Sequence, residues 1–369
     1  MRVRWRTLLL FLARPTLFFY ALPWLMVLLV AGTVAQREIG LYQAEKIYFS
    51  SLVFWLGPVP LPGAFLVLGV IAVSLTAKLL LKSPWRRGAL GTLITHGSML
   101  VLLGGGLLSA LGREEGYLEL SVGESGAALS DYHDRALAVM KNGALVLAVS
   151  EAALAGGASI SHATMPFHIV PQSYCRNCTP LLRSAPGEAF YRGAAAAMIL
   201  APAPLLVQDE DNRAGVVFAV VGAGGEADGS YIAFDGLKQM PSINVGADRY
   251  DFIMRHAERD LPFRVKLLDF KKSNHPGTAI ARSYAATVEI SDGGAVWPVE
   301  ISMNAPLRYR GYTLYQASFI DRDGKFSTVL TVVKNSGQIF PYIAVALLCG
   351  GMALQLGKKF TRRRAAVAS

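Results

Sequence analysis

The sequence predicts an integral membrane protein with four transmembrane α-helices, three N-terminal and one C-terminal. A large β-rich extracytoplasmic domain is inserted between helices three and four. Three observations carry this prediction. Four apolar runs, at about 16–35, 63–81, 88–111 and 339–356, each supply roughly the 20 residues that a bilayer core requires. Basic clusters flank the runs on one side of the implied membrane. Between the third and fourth runs, apolar and polar residues alternate in short segments separated by Gly, Asp, Asn and Pro, the pattern of strands joined by turns.

The first run, Thr16–Ala35, follows Pro15, contains Pro23 and lacks a small-residue cleavage site, so it reads as a retained helix rather than a cleaved signal. Tyr42–Leu56 mixes aromatic and apolar residues with Glu45 and Lys46 and reads as an interfacial helix. The second and third runs are Gly63–Leu81 and Gly88–Leu111. Residues 1–112 therefore form an N-terminal membrane region, 113–338 the external domain, and 339–369 the last helix with a basic tail. Gly193–Val207 is apolar but broken by Pro202 and Pro204, and it reads as a buried helix near Phe190–Leu200 followed by a loop.

Arg2, Arg4, Arg6 and Arg14 precede the first run, and Lys78, Lys82, Arg86 and Arg87 lie around the second connection. Lys358, Lys359, Arg362, Arg363 and Arg364 follow the fourth run. The positive-inside rule puts all three groups, and both termini, in the cytoplasm. The net charge of +10 is not a nucleic-acid signal: residues 113–338 carry 21 Lys and Arg against 24 Asp and Glu, and the remainder carries 15 against two. The basicity belongs to topology and anionic lipid.

In the external part, strands are expected at Tyr117–Val122, Val216–Gly222, Tyr231–Phe234, Phe263–Phe270, Tyr284–Ile290, Val296–Met303, Tyr312–Phe319 and Phe326–Val333. Regular strands with short turns suggest an antiparallel sandwich or barrel. Residues 152–214 give no clear pattern.

His96 is the one ionisable residue inside the third run. Such a residue in hydrocarbon is costly and marks a functional site. Its imidazole suits a proton relay, a metal or haem iron, or a structural bond to a neighbouring carbonyl or hydroxyl, with Thr92, Thr95 and Ser98 close by. Gly97, Gly104, Gly105 and Gly106 suit close helix packing. Cys175 and Cys178 form a C-x-x-C that is not a haem attachment motif, because Thr179 stands where histidine is required. Three readings stay open for the pair: a structural disulfide, which the oxidising compartment favours, a redox dithiol tuned by Arg176, or a zinc site with His162 and His168. Cys349 reads as a small apolar residue of the fourth run. His133, His256 and His275 read as scattered surface or turn residues. No Ser/His/Asp ordering, phosphate loop or carboxylate pair supports hydrolysis or nucleotide binding.

Several segments resemble one family. Gly32-Thr-Val-Ala-Gln36, Gly88–Gly106 with His96, and Glu115-Gly-Tyr-Leu-Glu-Leu-Ser-Val-Gly-Glu124 occur in the family's order. The same is true of Leu268-Asp-Phe270, Pro276-Gly277, Ser283-Tyr284 and the block Met303-Asn-Ala-Pro-Leu-Arg-Tyr-Arg-Gly-Tyr-Thr-Leu-Tyr-Gln-Ala-Ser-Phe319. Together they resemble the ResB (CcsB) proteins of System II cytochrome c biogenesis. Residues 152–214, with both cysteines, fall outside the pattern.

The resemblance implies a bacterial inner-membrane subunit that works with a CcsA/ResC-type multi-span partner. The pair would carry haem b outward for attachment to apocytochrome c, as a cytochrome c synthase (haem lyase) complex in which this subunit is not catalytic alone. It implies that His96 is a haem-iron ligand. Helical rise places it about 12 Å inside the run, nearer the cytoplasm. A thiol-reducing protein is a further expected partner. The rival functions are a membrane-anchored thiol–disulfide protein using Cys175 and Cys178, and a scaffold that never touches haem.

Overall fold

The computed structural model describes residues 10–184, 190–278, 280–322 and 325–367. It divides into two compact units. One comprises the residues up to Glu114 together with those from Lys334, and the other is Glu115–Val333.

Among the described residues, the first unit contains four helices long and apolar enough to cross a membrane. Helix α1 (Pro15–Ala44) starts on a proline, which suits the first helical turn because its missing N–H would be unpaired there anyway. The helix breaks at Gly40, whose φ of 80° only glycine adopts freely. It resumes and ends in a π-helical turn, Glu45–Phe49. The Phe49 ring then packs so closely on Gly32 that a Cβ at Gly32 would overlap it. Strands β1 (Val53–Leu56) and β2 (Val59–Pro62) form a hairpin. The expected single helix over 42–56 is thus replaced by a π turn and a strand. Val53, Phe54 and Trp55 favour the pleated form, and Gly57-Pro58 closes the turn. Trp24 donates from Nε1 to the Pro62 carbonyl at 2.9 Å, pinning the hairpin on α1.

Helix α2 (Ala64–Leu81) follows, and its Ser74 hydroxyl donates to the Leu12 carbonyl at 2.7 Å. Helix α3 (Leu90–Gly112) carries His96. In chain order the β-rich unit comes next.

The second unit begins in β3 (Arg113–Ser121), β4 (Ser125–Lys141) and β5 (Ala144–Ser150). Ser150 caps a short helix, α4 (Glu151–Gly156), by accepting from the Ala153 N–H. Then come β6 (His168–Cys175), β7 (Cys178–Leu182), a helical turn α5 (Ala194–Ala197) and β8 (Met198–Pro202). The expected helix over 190–200 shrinks to that turn. Met198–Pro202 is drawn into an antiparallel pair with β7 instead. Strands β9 (Gly215–Val221), β10 (Gly229–Phe234), β11 (Ser242–Val245) and the 27-residue β12 (Asp248–Asn274) follow. The unit closes with β13 (Ala281–Asp292), β14 (Ala295–Ser302), β15 (Leu307–Tyr309), β16 (Tyr312–Arg322) and β17 (Lys325–Asn335). The eight strands expected from sequence all lie within or overlap observed strands.

A ten-stranded sheet runs β14-β13-β12-β4-β3-β17-β16-β15, with β11 on β12 and β5 on β4. A three-stranded sheet, β10-β9-β6, covers one part of it. Among the apolar cores of the described residues, two share β4 and β12. The first gathers Leu137 and Val139 of β4, Phe252 and Met254 of β12, and Ile169, Phe218 and Tyr231 from the smaller sheet. The second gathers Leu129 of β4, Val265 and Leu267 of β12, and Val288, Ile301, Leu314 and Leu330. Where the strands pass from one core to the other, their pairing is interrupted. His256 faces Arg135 and Glu258 faces Ser130, so residues 131–134 of β4 loop out opposite one residue of β12.

Helix α6 (Phe340–Val367) completes the first unit, with Phe340–Phe360 as its apolar part.

Candidate functional site

Two places concentrate chemistry, one in each unit. The first is built on α3. Glycines set one face of that helix hard against α6. A Cβ at Gly91 would lie 2.7 Å from the Gly351 carbonyl oxygen, and one at Gly105 would overlap the Phe340 side chain. Gln355 of α6 donates from Nε2 to the Thr92 hydroxyl at 2.6 Å, and the Ser109 hydroxyl donates to Asn335 at 2.9 Å. Of the four glycines expected to mediate close approach, only Gly105 does so. Gly97, Gly104 and Gly106 face open space, because the packed face is set by Gly91 and Gly105.

This packing leaves His96, Met99, Leu102 and Leu103 lining a cavity of about 370 Å³. Its other walls are Phe18, Leu22 and Leu25 of α1 and Leu68, Ile71 and Leu75 of α2. The half-buried His96 places Nδ1 2.8 Å from the Thr92 carbonyl, one turn back. A carbonyl only accepts, so Nδ1 carries the hydrogen, and in the neutral ring Nε2 presents its lone pair. This is the tautomer a metal-binding imidazole needs, with its second nitrogen already oriented. The local bond expected from a structural histidine therefore exists, and it leaves the other nitrogen unused by it. Arg14 and Lys78 complete the lining, together with Ser74 and Thr95.

The second place is the interrupted pairing of β4 and β12. Asp131 turns the looped-out segment by accepting from the N–H groups of His133 and Asp134, both at 2.9 Å. His133 then reaches the buried Asp209 at 2.9 Å. Arg176, from the C-x-x-C, spans Asp209, Glu151 and the His133 carbonyl. Burial alone would raise the Asp209 carboxyl, but hydrogen bonds from His133 and Arg176 outweigh it and hold the group well below the usual carboxylate range. Burial likewise opposes the Arg176 charge, and Asp209 and Glu151 overcome it.

Arg135 is 2% exposed and donates to the carbonyls of Tyr132 and His133. Its guanidinium also lies 2.9 Å from His256 Nδ1, which in turn lies 2.7 Å from the Asp131 carbonyl. Burial, and then the Arg135 charge, push the His256 pKa down. Two histidines read from sequence as scattered are thus brought into one polar cluster. Tyr117 and Tyr132 close one side, and burial pushes both phenols up.

Cys175 and Cys178 are disulfide-bonded. Cys178 is 5% exposed, and both residues between the cysteines are committed: Arg176 as above, and Asn177 to the Pro204 carbonyl and the Arg213 N–H. His162 bonds Thr164 instead of the cysteines, and no group of three or more metal-ligating residues occurs among the described residues. His275 sits in the turn before β13, where its N–H bonds Ile280. Arg135, Arg176 and Asp209 were not foreseen as a cluster. Their long-range side-chain partners lie 25 to 121 residues away, and the one local signal was a charged residue trapped inside the C-x-x-C.

A family model described as the ResB-like family matches residues 82–339, from just before α3 to the start of α6. A comparison with curated proteins finds no match.

Proposed function

Because the chain belongs to the ResB-like family, which is associated with cytochrome c biogenesis, we propose that it is the haem-handling subunit of a membrane complex that passes haem b outward to apocytochrome c. Its helices dock on a CcsA/ResC-type partner in the bacterial inner membrane, with both termini cytoplasmic and the β-rich unit outside. One observation supports this reading above the others. His96 faces an apolar cavity with Nε2 free while Nδ1 is held by the Thr92 carbonyl at 2.8 Å.

The donor set fits haem as cargo. A neutral imidazole is an ordinary haem-iron ligand. The apolar walls from α1, α2 and α3 suit the macrocycle. Because Nδ1 is bonded to the helix carbonyl of Thr92, the imidazole is oriented before cargo arrives, and little ordering is left for the binding step. A single iron ligand on this subunit leaves the opposite axial position to the partner, which suits a transfer site better than a permanent one.

The experiment is an absorbance spectrum of the chain purified with its co-expressed partner, wild type against His96→Ala. The expected result is a Soret band that weakens or shifts in the variant and recovers with added imidazole. An unchanged band would leave this subunit as a scaffold around a haem site formed by the partner alone. The thiol–disulfide reading has less support, since Cys178 is buried and Arg176 is tied into the polar cluster.

A further inference from the structure

The walls of the His96 cavity are predominantly apolar, and a few polar residues stand among them. Of its polar lining groups, the Ser74 hydroxyl is already bonded to the Leu12 carbonyl and the Thr95 hydroxyl to the Gly91 carbonyl. That leaves Lys78, His96 Nε2 and Arg14, whose guanidinium lies over the Phe11 ring at 5.3 Å from its centroid. Among the described residues, neither Arg14 nor Lys78 is ion-paired with an acid.

All three lie at one end of the cavity. Arg14 is the residue before α1, Lys78 is in the last turn of α2, and His96 is six residues into α3. A rise of 1.5 Å per residue puts His96 about 9 Å inside its helix end, deeper than the two cations. Leu25, Leu68 and Leu102 line the apolar remainder. The neighbouring basic residues Lys82 and Arg86 are not in the lining, so the two cations are placed beyond what a general basic flank requires.

Resting on the haem reading above, we propose that Arg14 and Lys78 bind the two propionate carboxylates of the porphyrin and so set its orientation. The charged edge lies at the basic helix ends, the iron lies at His96 and the uncharged edge points toward Leu25 and Leu102. The physical demand is direct. A carboxylate in an apolar, water-poor site is costly unless it is paired. A cavity with a metal ligand but no cation would therefore reject the dianionic edge. Two unpaired cations beside the imidazole match two carboxylates in number and sign.

The test uses the full-length chain in nanodiscs of zwitterionic lipid, titrated with ferric protoporphyrin IX and with its dimethyl ester, and read from the Soret band. The wild type is expected to bind the diacid at least tenfold more tightly than the ester. R14Q/K78Q should erase that preference while leaving the position of the saturated Soret band unchanged, because His96 still holds the iron. R14K/K78R should keep the preference. The remaining Arg4, Arg6, Lys82 and Arg86 preserve the basic flank that directs insertion.

Equal affinity of the wild type for acid and ester would overturn the assignment, and would be the outcome if the cations served lipid phosphates instead. An undiminished preference in R14Q/K78Q would overturn it as well. The haem reading fails separately. A Soret band indifferent to H96A would remove His96 from the iron whatever the ester result, and absence of binding by either porphyrin would remove both ideas together.

Discussion

The Arg176 guanidinium and the Asp209 carboxylate meet at 2.7 Å although 33 residues separate them. Arg176 sits between two disulfide-bonded cysteines, so its backbone is held before its side chain reaches out. Asp209 is 4% exposed, and taking away Arg176 would remove its strongest cationic partner and leave the buried charge to His133 and Asn212. Arg176→Met is therefore expected to destabilise the β-rich unit by on the order of 3 kcal/mol. Thermal unfolding of the full chain followed by circular dichroism measures this. A change indistinguishable from zero would mean that the ion pair adds nothing to the fold.

The disulfide closes a very short loop, so its chain-entropy contribution is only about 2 kcal/mol. Cys175→Ser with Cys178→Ser is expected to lower the melting temperature and leave cytochrome c assembly intact. Thiol trapping in cells should find the wild-type pair oxidised throughout. A mixed population of thiol and disulfide would point to redox turnover instead.

Acid should weaken the β-rich unit in two steps. Burial and Arg135 hold the folded His256 pKa below its ordinary 6.5, so in the interval between the two values the unfolded chain binds the extra proton. The stability tied to the neutral ring is full above about pH 6.5 and is lost as pH falls through that interval. Asp209 acts lower. Its folded pKa is depressed below 3.8, so its contribution is present above that value and lost as pH falls towards the folded one. Melting temperatures measured from about pH 8 to about pH 5 should decline in the wild type and flatten in His256→Gln. A flat wild-type curve would contradict this account.

Neighbouring glycines of α3 should behave differently. Gly105→Ala places a methyl group in the Phe340 side chain and should cost about 1–3 kcal/mol of helix-pair stability. Gly104→Ala meets nothing within 4 Å and should be neutral or slightly stabilising. Detergent-induced unfolding of the two variants decides the point, and equal losses would mean that α3 does not pack on α6 through Gly105.

The four helices were legible because each is a long apolar run, and the C-terminal strands because they alternate between clear turns. Strand β4 was not legible in this way. Arg135–Val139 is buried at five successive positions, which erases the period of two, and the looped-out residues 131–134 break the pattern before it. A turn signal was nevertheless present: Asn142-Gly143 adopts φ values of 49° and 84°, the two-residue hairpin that this dipeptide favours. Residues 152–214 were opaque for another reason. Their strands are short and pair with partners far along the chain, and local pattern does not encode that. His96 stood out as an ionisable residue amid apolar ones. Its cavity did not, because Arg14 precedes α1, Lys78 lies in α2 and His96 in α3, and they looked in sequence like orientation signals and a lone histidine.

The sharing of β4 and β12 between two cores has a temporal consequence. Lys141 pairs with Tyr250 and Ser125 with Lys266, so neither core can close until more than a hundred further residues have followed β4. At ribosomal rates of roughly 5–20 residues per second, the β12-facing edge of β4 waits on the order of 5–20 s for its neighbour. The adjacent β5 can guard the opposite edge during that time through the local Asn142-Gly143 hairpin. Assembly of this unit is therefore vulnerable during synthesis, and a substitution that loosens the β4–β5 hairpin would lower yield more than it lowers the stability of molecules already folded.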